Sequence, residues 1–124
     1  MIHYPISLKH ANIEEIPANP WITKSNPNME IDMDVTYQQT WEAMEELVRE
    51  GLVRNIGVSN VGVLKLMDVY KFAKIKPAVI QNEMHPFLTQ DRLVRYARAL
   101  GVQIQAYSSF GNLSQKKPGD LIFE

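Results

Sequence analysis

Four short polar clusters hold most of the side chains in this sequence that could do chemistry: His3-Tyr4, Ser59-Asn60, Gln81-Asn82-Glu83 and Tyr107-Ser108-Ser109. Each stands at the end of an apolar stretch, and in parallel α/β folds ligands meet the chain beyond the carboxyl ends of strands. A metal site would need several histidines or carboxylates converging. Only His3 and Glu83 are close candidates, so no metal is expected. No serine sits in a strained glycine elbow, which argues against a Ser-His-acid set. What the clusters offer instead is amide, hydroxyl and aromatic. A neutral carboxamide needs a donor and an acceptor together, which Asn and Gln supply. A flat heteroaromatic ring needs a stacking face, which Tyr107 provides. Nicotinamide has both features. Taken by itself, though, Asn60 reads as the N-cap of the helix that follows it.

Between the clusters, helix and strand patterns alternate. Asp34 or Thr36 caps a helix whose apolar stripe is Tyr37, Trp41, Met44 and Val48, widened by Leu47. Glu42, Glu45, Glu46, Arg49 and Glu50 fill the opposite face, which reads as solvated. Gly51 stops the helix in the left-handed conformation, with Leu52 placed for the apolar contact of such a cap. Leu52-Val53 and Ile56-Gly57-Val58 then read as a strand covered on both faces. A second helix is predicted from about Val61 to Ala73, with Val63, Leu66, Met67 and Tyr70 inward. Pro77 breaks the pattern and Ala78-Val79-Ile80 opens the next strand. Thr89 caps a third helix carrying Leu93, Val94, Tyr96, Ala97 and Leu100; Gly101 ends it, and Val102 to Ala106 form the last clear strand. Ile6 to Met33, with three prolines and no sustained period, reads as a functional loop with a helical turn near Asn12 to Ile16 and Trp21 packed inside it.

Glu50-Gly51-Leu52-Val53 and Leu100-Gly101-Val102-Gln103 both close a helix with glycine and open a strand. Strand starts near 53, 78 and 102 give a period of about 25, close to the minimum for a strand-plus-helix unit. Such alternation without a dinucleotide glycine fingerprint favours a barrel over a doubly wound sheet. A closed barrel takes eight strands and about 250 residues. The expected fold class is therefore α/β, part of a (β/α)8 TIM barrel with about four parallel strands, Ile2 ending the first, and three main helices.

Composition agrees. The 124 residues are 45% hydrophobic and 22% charged, as in an ordinary globular domain, and residues 1–124 are expected to form one. A net charge of −1 gives no reason to expect nucleic acid or an anionic membrane as partner. The absence of Cys excludes disulfides, and no signal peptide or long apolar run is visible, so a cytoplasmic location is expected.

The motifs together resemble the aldo-keto reductases. They are His3-Tyr4-Pro5, the run from Thr40 to Val48 into Gly51-Leu52-Val53, and Ile56-Gly57-Val58-Ser59-Asn60. They continue with Lys76-Pro77-Ala78-Val79, Gln81, Glu83, His85-Pro86, Leu88-Thr89-Gln90 and Ala106 to Gly111. The last of these, with Ile6 to Ile16, is most similar to the xylose and aldose reductase branch. The resemblance implies that His3 orients or polarises the substrate carbonyl and Tyr4 lines the substrate pocket. It implies that Ser59, Asn60 and Gln81 hold the nicotinamide carboxamide and that Tyr107 stacks under the ring. Ser108, Ser109 and Phe110 would lead a loop over the cofactor pyrophosphate. The family usually has Asn before the Gln and Ile after it, where this chain has Ile80 and Asn82. His85 matches a position outside the catalytic set, and structural hydrogen bonding is its expected role.

The implied cofactor is NADP(H), with NAD(H) as the alternative, and the implied substrate is a small carbonyl compound, an aldehyde or aldose. In the family the Asp, Tyr and Lys of the catalytic tetrad lie on earlier strands and loops. None of Tyr4, Tyr37, Tyr70, Tyr96 or Tyr107 sits in the proton-donor motif, and Lys116 and Lys117 do not match the basic segment that grips the adenosine phosphate. The isolated chain is accordingly expected to be an inactive fragment. The alternative is a non-catalytic remnant that self-associates through exposed barrel edges.

Overall fold

The computed structural model describes residues 1–10 and 31–111. The expected turn near Asn12 to Ile16, Trp21, Lys116 and Lys117 lie outside the described residues. Helix α1 (Tyr37–Arg49), strand β1 (Gly57–Ser59), helix α2 (Val63–Phe72), strand β2 (Val79–Glu83), helix α3 (Asp91–Ala99) and strand β3 (Gln103–Tyr107) follow in that order. The three strands form one parallel sheet in the order β1-β2-β3. The fourth expected strand is reduced to one parallel bridge between Ile2 and Val58, closed by the Ile2 N–H on the Gly57 carbonyl at 2.9 Å.

Local chemistry sets the element ends. Thr36 opens α1 with a reciprocal capping box: its hydroxyl accepts from the Gln39 N–H, and the Gln39 side chain accepts from the Thr36 N–H. Gly51 and Gly101 both adopt φ +73, and each ends its helix with the paired bonds of a Schellman motif. At the first, Gly51 N–H reaches Val48 O and Leu52 N–H reaches Leu47 O. At the second, Gly101 N–H reaches Arg98 O and Val102 N–H reaches Ala97 O. This is the physical content of the internal repeat.

The first motif also shortens the predicted strand. Leu52 and Val53 both turn their N–H groups back onto Leu47 O, so neither can enter a ladder, and β1 starts only at Gly57. Leu52 is 68% exposed rather than packed on the cap. Helix α2 starts at Val63, not Val61, behind an N-cap at Gly62 that has no side chain to offer. Its most buried residues are Leu66 and Val69, with Val63, Met67 and Tyr70 half-buried. Thr89 does not cap α3; Gln90 does so, in the left-handed conformation and without a side-chain bond to the helix, its Nε2 donating instead to Glu83 O at 3.5 Å.

Parallel register gives the sheet two unlike faces. Val58, Ile80 and Ile104 are aligned neighbours. On this face the buried residues join Trp41, Leu66, Val69, Leu93 and Ala97 in one apolar core. The residues between them face the other way, and they form the rows Ser59-Gln81-Gln105 and Glu83-Tyr107. Gly57 begins this face, and a Cβ there would overlap the Val79 side chain and stand 2.5 Å from the Val79 carbonyl oxygen. Only glycine lets β1 lie this close to β2.

One expectation is reversed. Glu45 is not on a solvated face; it is 1% exposed. Its Oε1 accepts from Lys74 N–H at 2.7 Å and Ile75 N–H at 2.9 Å, and its Oε2 accepts from Arg49 at 2.9 Å. Trp41 Nε1 donates to Ile75 O at 3.2 Å, and Lys76 Nζ donates to Tyr70 O and Ala73 O, each at 2.7 Å. The loop between α2 and β2 is thus held from α1 and from its own lysine. Burial would raise the Glu45 pKa; the Ile75 and Lys74 N–H groups and Arg49 outweigh it and hold the carboxyl below its ordinary value.

Candidate functional site

The strand ends converge on Asn60. This residue leaves β1 at φ +56, a left-handed conformation that Asn tolerates better than most side chains. Its N–H donates to Gln81 O at 3.0 Å, which ties it to β2. Its side-chain Nδ2 donates to His3 O at 2.8 Å, and its Oδ1 accepts from Tyr107 OH at 2.5 Å. Asn60 is therefore not the N-cap of α2; it joins the His3 segment, β2 and β3.

Ser59 is buried, and its hydroxyl donates to Gln81 O at 2.7 Å, leaving its lone pairs to accept. Gln81 is half-buried in the middle of the polar row, between Ser59 and Gln105. Asn82 is turned to the opposite face and locks the start of the next segment. Its Nδ2 donates to Val61 O at 3.0 Å and its Oδ1 accepts from Val61 N–H at 3.4 Å. Burial raises the pKa of the Tyr107 phenol above its ordinary value. The nearby Glu83 carboxylate and Tyr4 phenol add to this, and a backbone N–H of Glu83 opposes it. At neutral pH the phenol keeps its proton and stays a donor to Asn60.

His3 is exposed, and its ring stacks on Tyr4 with 4.7 Å between centroids and an 8° interplanar angle. The two border a pocket of about 340 Å³ together with Ile2, Ile6 and Leu8. Beyond Tyr107, Ser108 adopts φ +51 and its carbonyl accepts from Gly111 N–H at 2.8 Å, a turn that leaves Ser109 and Phe110 exposed. His85 Nε2 lies 3.5 Å from Glu83 Oε1, while its backbone pairs with Leu88 to close the turn after β2. His3, Ser59, Asn60, Gln81 and Tyr107 are thus brought together at one end of the sheet. Ser109 and Phe110 are not tied into that group.

The sequence pattern of the aldo/keto reductase family matches residues 19–120. The chain belongs to this family. It is 45% identical over 114 residues to a probable NAD(P)H-dependent D-xylose reductase of Aspergillus fumigatus, covering 92% of this chain and 36% of that protein. An NAD(P)H-dependent D-xylose reductase of Aspergillus niger is 44% identical over 114 residues, covering 92% of this chain and 35% of that one. Among solved structures, the aldose reductase of Schistosoma japonicum superposes with a TM-score of 0.74 at 37% identity, covering 93% of this chain and 36% of that one. A Bombyx mori aldo-keto reductase in complex with NADP does so with a TM-score of 0.74 at 29% identity, covering 95% and 33%. The chain thus spans about a third of the length of the curated relatives it matches. The three strands and three helices are part of an aldo-keto reductase (β/α)8 barrel, and their relatives fall in the xylose and aldose reductase branch.

The polar row suits a nicotinamide ring. Gln81 has a donor and an acceptor on the face turned away from the apolar core. The Asn60 amide, though engaged at both ends, keeps one further hydrogen and one further lone pair. Sequence reading missed the Asn60 bonds, the Asn82 clamp and the Glu45 carboxylate, because each partner is distant in the chain.

Proposed function

We propose that residues 1–124 are the cofactor-ring side of an NADP(H)-dependent aldo-keto reductase domain, in a cytoplasmic protein that reduces aldehydes or aldoses to alcohols. NAD(H) is the alternative cofactor. The observation that carries this is the convergence of His3, Gln81 and Tyr107 on Asn60.

Bound nicotinamide would supply a hydride from C4. Gln81 and Asn60, with the Ser59 lone pairs, hold a carboxamide, and the Tyr107 ring gives the nicotinamide a flat support. His3 orients the substrate carbonyl and Tyr4 lines its pocket. Ser108, Ser109 and Phe110 lead the chain over the pyrophosphate. General-acid catalysis needs a positioned donor, and no tyrosine of this chain matches the family's donor, so that proton comes from outside these 124 residues. The chain should bind cofactor without turning it over. A non-catalytic, self-associating module is the second reading; β3 has no ladder partner on its outer edge among the described residues.

Titration of NADPH into the purified full chain, followed by cofactor fluorescence, tests the proposal. Saturable binding that weakens at least tenfold in Gln81→Ala is expected. No binding by a chain whose circular dichroism shows native helix would overturn it, and a defined dimer without binding would favour the second reading.

A further inference from the structure

We infer that Asn60 is a positioning residue, a strap whose single amide fixes the His3 segment relative to Tyr107. The inference rests on the functional reading above, which gives those two residues their importance. Its observations are geometric. Three bonds leave Asn60 for three different segments: its N–H to Gln81 O, Nδ2 to His3 O and Oδ1 from Tyr107 OH. Among the described residues, the His3 segment meets the sheet at the bridge of Ile2 with Val58.

The residue type is constrained on two counts. A left-handed backbone at φ +56 admits few side chains besides Gly, Asn and Asp. Of those, only Asn offers a donor and an acceptor at once. Asp could still accept from the Tyr107 phenol but would set a carboxylate oxygen against the His3 carbonyl. Gly would keep the backbone and lose both bonds. The strap explains why a residue with spare capacity for a ligand spends half of it on the protein. The carbonyl-facing histidine and the ring-supporting tyrosine come from segments about a hundred residues apart, and one amide sets the distance between them.

The test is a double-mutant cycle read by NMR on the ¹⁵N-labelled full chain without cofactor. The Tyr4 N–H belongs to the same peptide unit as the His3 carbonyl, so its cross-peak reports the Asn60–His3 bond. Tyr107→Phe removes the phenol and should displace that cross-peak. In an Asn60→Gly background the same change should displace it much less, by no more than the nearby Tyr107 and Tyr4 phenols act on each other directly. Equal displacement in both backgrounds would mean a direct effect of Tyr107 on Tyr4 and would overturn the strap, as would no displacement in the first. If Asn60→Gly loses the native spectrum, Asn60→Asp replaces it, and the expected loss of coupling is the same. NADPH titration of the wild-type chain decides the functional reading separately, because the cycle needs no cofactor.

Discussion

Removing the Glu45 carboxylate should release the loop that leads into β2. In Glu45→Ala the Lys74 and Ile75 N–H groups lose their acceptor in a site where the carboxylate itself was 1% exposed. Leaving a buried donor unsatisfied costs about 1–3 kcal/mol; with Lys74 exposed and Ile75 half-buried, water replaces part of the lost acceptor, and the two together lose about 1–3 kcal/mol. That is a substantial part of the ~5–15 kcal/mol that holds a typical domain. Glu45→Gln keeps an oxygen for both N–H groups but turns an amide N–H₂ toward Arg49, and neutral acceptors are roughly half as strong. It should fall between wild type and alanine. The pH dependence gives a second check. Because the folded carboxyl lies below its ordinary 4.5, its contribution is complete above that pH and is lost as pH falls through the folded value. Urea unfolding followed by circular dichroism at pH 7 and at a series of pH values below 4.5 measures both. The glutamine variant should lose less stability on acidification than wild type. An alanine variant with the wild-type midpoint, or a glutamine variant with the full wild-type acid loss, would refute the clamp.

Gly57→Ala should destabilise the fold by about 1–3 kcal/mol or more, the range of overpacking, because its Cβ meets the Val79 side chain and carbonyl; urea midpoints measure this. Tyr37 has a buried hydroxyl with no hydrogen-bond partner among the described residues, and burial pushes its pKa up to about 12. Its raised value means that its stabilising contribution holds up to the ordinary pKa of 10.0 and is lost as pH climbs toward about 12. Tyr37→Phe should remove that alkaline loss and leave stability at pH 7 unchanged or higher by up to about 1 kcal/mol, with one fewer late-ionising phenol in an absorbance titration.

What the sequence made legible was local or periodic. Gly51 and Gly101 marked helix ends because a left-handed stop is written in one residue. Tyr37, Trp41, Met44 and Val48 marked the inner stripe of α1 because period is visible in the chain itself. Glu45 was misplaced for the complementary reason. A helical wheel puts it among glutamates and cannot show that the loop 29 residues later folds back onto it. Leu52-Val53 looked like strand by residue type, yet the Schellman bonds had already claimed their N–H groups. At the site, residue type and position at a strand end pointed to His3, Ser59, Asn60, Gln81 and Tyr107. That Asn60 holds two of the others is a fact of pairing across 57 and 47 positions, and no spacing rule reaches so far.

The order Ile80-Gln81-Asn82, reversed around Gln81 from the usual family pattern, shows how far face matters more than sequence. Positions 80 and 82 are both buried in β2, on the side away from Gln81. Exchanging Asn and Ile between them therefore moves a carboxamide along one face and never across the sheet. Ile80 then sits between Val58 and Ile104 in the apolar core, where its whole side chain is buried. Asn82 stands one step nearer the strand end, where Val61 offers both a carbonyl and an N–H. A buried amide is tolerated there because both its ends are satisfied. The register Ser59-Gln81-Gln105 is untouched by the exchange. The departure from the family pattern falls on the face that builds the core, and Gln81 keeps the side of the sheet turned away from it.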